Sequence, residues 1–182
     1  MIRLGSNSQT RALLLAQHNI KFRQDGGEFD EDSITTSNPR EFVEIATQGK
    51  FDELYAKFGC DIMPLLVADT VVTSNGELLR KAKDKEDARR MLELQSDNEV
   101  SIITCMIFKS QDTYIKDIST TTYHFKKFDE AKMENYIQSG ECMGKAGAIM
   151  VEGFCKPYIK YVDGYESTAM GLCVEKLLPY IK

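Results

Sequence analysis

One carboxylate stands inside an apolar run, Asp69 in "LLVADTVV" (Leu65–Val72). A charged oxygen in such a stretch needs a cation, water or several hydrogen bonds. Asp69 is therefore a candidate to hold a divalent ion or to draw a proton from water. A structural Asp bonded to neighbouring backbone is the alternative, and pattern alone does not separate the two. The run "PLLVA" predicts a strand covered on both faces, with Asp69 at its far end. Ligands of open α/β sheets bind outside such strand ends.

Four further pieces could act with it. "GSNSQTR" (Gly5–Arg11) places small residues, the hydroxyls of Ser6 and Ser8, and the Arg11 cation between a strand and a helix start. Such a turn can approach an oxyanion and offer free N–H groups, although an ordinary capped turn has the same composition. It matches neither the P-loop nor the Rossmann glycine pattern. "ELLRKAKDKEDARRML" sets Arg80, Lys81 and Lys83 just before a helix start, where they could neutralise phosphate oxygens or be solvated surface. "GKAGA" (Gly144–Ala148) carries Lys145 on a small-residue turn, and "FDED" offers Asp30, Glu31 and Asp32 as further metal carboxylates or a plain acidic loop.

The elements that must position these groups are an alternation of strands and helices. "MIRLG" and "KFRQDG" read as short strands flanking a helix capped by Ser8, its apolar face supplied by Leu13, Leu14 and Ala16 to Ile20. Asn38 and Pro39 start a long helical stretch with Gly49 as a weak point and Gly59 as its stop. After "SNGE", Asp84 caps an amphipathic helix. "EVSIITCMIF" and "TYIKDISTTTYHFKKF" predict an antiparallel pair with one face wet. A helix follows, ended by Gly140, and "AMGLCVEKLLPYIK" predicts a terminal helix up to Pro179. The sum is an α/β fold with a mixed central sheet wrapped by helices.

Composition limits the function. The 182 residues are 42% hydrophobic and 28% charged, which is globular and enough for one domain or two lobes on one core. A net charge of −5 disfavours broad nucleic-acid binding, so any phosphate must be held by a local cationic cluster. No apolar stretch is long enough for a bilayer and the N-terminus lacks a leader pattern, so no membrane association and a cytoplasmic location are expected. The five cysteines are scattered, predicting buried free thiols, and with two distant histidines they suggest no zinc site. His18 falls at a helix end rather than among catalytic groups.

In this order the pieces resemble the Maf family of nucleotide pyrophosphatases, over nearly the whole chain. "GSNSQTRALLL" stands at that family's serine-rich, double-arginine segment, and "FDE" (Phe29–Glu31) at its acidic loop. "ADTVVTSNGELLRKAKDKEDARRML" matches its central block and is the most specific signal. "KAGA" with Glu152–Gly153, and "MGL" (Met170–Leu172), match its C-terminal blocks.

The resemblance implies a single Maf-like domain of two lobes (1–182) with a groove between them. It implies hydrolysis of nucleoside triphosphates to the monophosphate and pyrophosphate, a Mg²⁺ or Mn²⁺ cofactor and a homodimer. It makes Asp69 the proton acceptor and, with Glu31, the metal pair. Ser6, Ser8, Arg11, Thr70, Lys81, Lys145 and Glu152 become the substrate contacts. The chain departs from the family at Gln9, Thr10, Ala82, Gly144 and Glu152, and a lysine expected in the long helix falls at Gly49, with Lys50 one residue away. Glu152 stands where the pyrimidine-selective branch has a glutamine, so base choice stays open; a carboxylate there could accept the donors of a guanine edge. The alternative function is a nucleotide-binding regulator of septum formation with little catalysis.

Overall fold

The computed structural model describes Met1–Ile181. Seven strands, β1 (Ile2–Leu4), β2 (Phe22–Gln24), β3 (Leu65–Ser74), β4 (Glu77–Leu79), β5 (Glu99–Lys109), β6 (Tyr114–Phe125) and β7 (Ile159–Asp163), form one sheet. Its order is β2-β1-β3-β5-β6-β7, with β4 paired to β3. β1 runs parallel to β2 and β3, whereas β4 and β7 are antiparallel to β3 and β6, so the sheet is mixed, as expected. The helices are α1 (Gln9–Gln17), α2 (Pro39–Phe58), α3 (Lys85–Gln95), α4 (Glu130–Ser139), α5 (Glu166–Ala169) and α6 (Val174–Leu177). None of them is long and apolar enough to cross a membrane.

The chain divides into two compact units. The first comprises Met1–Thr70, Ile103–Thr120 and the chain from Tyr165; the second comprises Val71–Ile102 and Thr121–Gly164. In the first unit, Leu66, Ala68, Met106 and Phe108 of the sheet pack with Leu14 and Leu15 of α1 and with Leu172, Val174 and Leu177. Leu65, Val67 and Ile107 pack with Phe51 and Leu54 of α2. The period of two in β3 thus sends alternate residues to two different apolar clusters. That is why its sequence is continuously hydrophobic.

Local signals act where the sequence places them. Ser8 caps α1, Asn38 caps α2 with Pro39 in its first turn, Asp84 caps α3, and Gly140 ends α4 in the left-handed conformation. Asn75 and Gly76, both at positive φ, turn β3 into β4, the usual chemistry of a tight hairpin. His18 is the C-cap of α1.

Five expectations need correction. The strand carrying Asp69 does not end there; β3 continues to Ser74 because Val71 and Val72 are buried and the hairpin partner extends its pairing. Gly49 does not interrupt α2, which is continuous for 20 residues. Leu13 and Ala16 are exposed, and the buried face of α1 is Arg11, Ala12, Leu14 and Leu15, because Arg11 is drawn inward by polar partners. β5 has no wet face, since Ile102–Phe108 are all buried; only β6 alternates. The predicted terminal helix is two single turns, parted at Gly171 with φ +102°, and a 3₁₀ turn.

Candidate active site

The first unit gathers most of the polar groups. β1 ends at Leu4, and the Gly5 N–H bonds to the Leu66 carbonyl at 2.8 Å. A Cβ at Gly5 would lie 2.5 Å from Leu54 and 2.6 Å from Val67, so only glycine lets the main chain turn here. The loop that follows reaches Ser8 and the start of α1 beside the middle of β3.

Asp69 lies on the same face of β3 as Leu65 and Val67, the face covered by α2. It is 6% exposed, and its cation is Lys50, which stands next to buried Phe51 on α2. Lys50 Nζ donates to Glu31 Oε1 at 2.5 Å and also to Asp69 Oδ1. Glu31 arrives on a 3₁₀ turn, Glu31–Ser33, whose cap Asp30 accepts the Asp32 N–H at 2.9 Å. Two carboxylates from separate segments therefore converge on one positive charge. Lys50, which the sequence sets one position from the expected lysine, is the residue that joins the two carboxylates.

Thr70 lies on the opposite face, toward Arg11. The buried Arg11 guanidinium donates from Nε to the Gly171 carbonyl at 2.7 Å, from Nη1 to Ser6 Oγ at 3.0 Å, and from Nη2 to Thr70 Oγ1 at 3.1 Å. Burial pulls its pKa below the ordinary arginine value, and the carboxylates of Asp69 and Glu31 pull it back up. Two of its five N–H groups remain for a ligand.

The hydroxyls in this network differ in what they can offer. Thr104 Oγ1 donates to the Thr168 carbonyl at 2.7 Å, so in its 2.9 Å contact with Thr70 it must accept. The single hydrogen of Thr70 is thereby committed, and Thr70 serves to hold Arg11. Ser6 Oγ accepts from Arg11 and from the Ser8 N–H at 3.2 Å, which leaves its hydrogen available. Ser8 caps α1, accepting the Arg11 N–H at 3.4 Å.

The second unit holds Lys81, Lys145 and Glu152. Lys81 and Ala146 form an antiparallel bridge, and the Gly147 N–H bonds to the Arg80 carbonyl at 3.0 Å, so the two lysine-bearing segments are joined through backbone. A Cβ at Gly147 would meet Val72 at 2.8 Å, and its φ is +62°. Gln95, fully buried, donates to the Gly147 carbonyl at 2.7 Å, while the Tyr136 hydroxyl donates to the carbonyl of Ala148, itself at φ +57°. Burial raises the pKa of Tyr136, which keeps it a donor. Lys81 and Glu152 are exposed and Lys145 is half-buried.

A divalent cation suits the carboxylates of the first unit. Glu31 and Asp69 already share one cation, the Lys50 ammonium, and their hard oxygens are what Mg²⁺ or Mn²⁺ prefers. Among the described residues no group of three or more histidines, cysteines, aspartates and glutamates converges, so further ligands would come from substrate and water. All five cysteines are free and buried.

Comparison with known proteins places the whole chain in a family. A nucleoside triphosphate pyrophosphatase of a Nitratiruptor species is 52% identical over 184 residues, covering 100% of this chain and 99% of that protein. Proteins of the same description from Helicobacter pylori and Campylobacter jejuni are 42% and 35% identical. The first alignment covers 98% of this chain and 94% of the relative, the second all of both. The family model described as Maf-like protein matches residues 1–182, from the Gly5 turn through the lysine-bearing segments to the Gly171 carbonyl. The chain belongs to the Maf-like protein family.

Proposed function

We propose that this protein is a nucleoside triphosphate pyrophosphatase, hydrolysing its substrate to the monophosphate and pyrophosphate by attack of water on the α-phosphorus. The observation that carries the reading is the buried Asp69 carboxylate, aimed with Glu31 at the Lys50 ammonium beside a buried arginine. Once Lys50 leaves it, such a carboxylate has an oxygen lone pair that can take a proton from water.

In this reading Asp69 is the base and, with Glu31, would hold a Mg²⁺ or Mn²⁺ ion. When bound, that ion neutralises phosphate oxygens and so eases departure of pyrophosphate. Lys50, released from the carboxylates, turns its ammonium to the phosphates. Arg11 offers its two spare N–H groups and Ser6 its hydroxyl hydrogen, both already oriented by Thr70, Gly171 and the Ser8 amide. Lys81 and Lys145 are assigned to the phosphate tail and Glu152 to the base. The five buried thiols suit a reducing compartment such as the cytoplasm.

The test is pyrophosphate release over a panel of normal and modified nucleoside triphosphates, with Asp69→Asn beside the unaltered protein. Turnover of at least one substrate is expected. Asp69→Asn should lose roughly 10²–10⁴ in rate, the usual contribution of a positioned base. Tight binding without turnover of any triphosphate would return the protein to the regulator reading, and a preference for uridine or thymidine triphosphate would remove the purine role of Glu152.

A further inference from the structure

The acidic loop that brings Glu31 to Lys50 has no long strand or helix to fix it. A fit against α2 helps to hold it. A Cβ on Gly49 would lie 2.1 Å from Cε2, 2.3 Å from Cζ and 2.7 Å from Cδ2 of Phe29, so the phenyl ring occupies the space where any other residue of the helix would project. One turn further along α2, the Glu53 carboxylate accepts the Glu28 N–H at 2.9 and 3.2 Å. A Cβ on Gly27 would sit 2.8 Å from that carboxylate, so glycine also permits this second approach. Positions 49 and 53 share one face of the helix, and Lys50 adjoins it.

Glycine in the interior of a 20-residue helix weakens that helix relative to alanine. Its presence at 49 makes no sense for the helix alone. It makes sense for the loop: Phe29 is two residues before Glu31, and Gly49 is one residue before Lys50. A single contact therefore sets both partners of the ion pair that faces Asp69.

We infer that Phe29 and Gly49 are positioning residues, a ring-in-notch fit on α2 that fixes Glu31 against Lys50 and Asp69. What this placement serves rests on the pyrophosphatase reading; the fit itself does not. Gly49→Ala, by filling the notch, expels the ring and shifts Glu31 while improving the intrinsic propensity of the helix.

The experiment compares four proteins, unaltered, Gly49→Ala, Phe29→Ala and the double variant, by pyrophosphate release, by binding of a non-hydrolysable triphosphate with Mn²⁺, and by thermal melting. Each single variant should lose roughly 10- to 100-fold in kcat, the scale for a reacting group displaced by about an ångström. Each should also need more Mn²⁺ for half-maximal binding. The melting temperature of Gly49→Ala should stay within a few degrees of the unaltered protein, because the ring only moves outward and the helix gains. The double variant should be no worse than the poorer single one, since both break the same contact. Phe29→Leu combined with Gly49→Ala, a shorter side chain over a filled notch, should recover part of the loss. Losses that multiply in the double variant, or a Gly49→Ala protein that binds and turns over normally, overturn the inference. If the unaltered protein turned over nothing, the function reading would fail, and Mn²⁺–nucleotide binding across the same proteins would still decide the positioning.

Discussion

The two units hold the charges assigned to the candidate site in opposite ways. In the first, Lys50 is bonded to Glu31 and Asp69, and Arg11 to Ser6 and Thr70, before any ligand arrives, with side-chain distances of 2.5–3.1 Å. In the second, Lys81 and Lys145 pair with no carboxylate among the described residues, and order is supplied beneath them by backbone, Gln95 and Tyr136. Buried charge must be compensated at all times, whereas exposed charge can wait in water. The first arrangement stores a rearrangement, the second only a location. Removing one of the paired charges in the first unit should therefore change stability and chemistry together, and removing Lys81 or Lys145 in the second should change binding alone.

The largest effect expected is the loss of turnover in Asp69→Asn. Next is Lys50→Met, which removes the ammonium shared by Glu31 and Asp69. It should lower stability by about 3 kcal/mol, the scale for breaking a buried pair, and reduce turnover. Mn²⁺ without nucleotide should then raise its melting temperature more than that of the unaltered protein, because an ion that binds only the folded state stabilises it. Equal responses of the two proteins would mean that Lys50 and the ion do not share a place.

In the second unit, Lys81→Ala or Lys145→Ala should raise KM about tenfold, the low end for a lost hydrogen bond to a charged group, with the melting curve unmoved. A fall in melting temperature as large as that of Lys50→Met would erase the contrast between the units.

The smallest effect concerns pH. Burial raises the Cys105 thiol to about 11 and Cys155 to about 12. An unfolded thiol ionises near ~8.5. Below that value both states keep the proton and the full stability is present; above it the unfolded state releases its proton first, and stability falls as pH rises toward the folded values. Cys155→Ala should flatten the decline of melting temperature above pH ~9, by about 1 kcal/mol per pH unit at most. An unchanged slope would assign the alkaline loss to other groups.

Much of the fold was legible because it rests on short-range chemistry. Ser8, Asn38, Asp84 and Gly140 declare helix ends, and Asn75–Gly76 declares a hairpin. What escaped was non-local. Gly49 looked like a break because helix propensity knows nothing of a phenyl ring twenty residues away. Lys50 was missed because its reach to Asp69 depends on how α2 lies on β3. Asp69 itself was found, but at a strand end that does not exist; its surroundings come instead from β1 stopping early. β5 reads as half-wet until the covering of both its faces is known. The charged residues of the candidate site stand out by type, while the Gly171 carbonyl that aims Arg11 has no signature of its own.

The bond from Arg11 to the Gly171 carbonyl spans 160 positions of sequence. On the ribosome, the N-terminal helix emerges long before its acceptor is made, and until Gly171 leaves the exit tunnel the guanidinium has no such anchor. A nascent chain can fold its early segments, yet the candidate site cannot hold its arginine in place before Gly171 has been added.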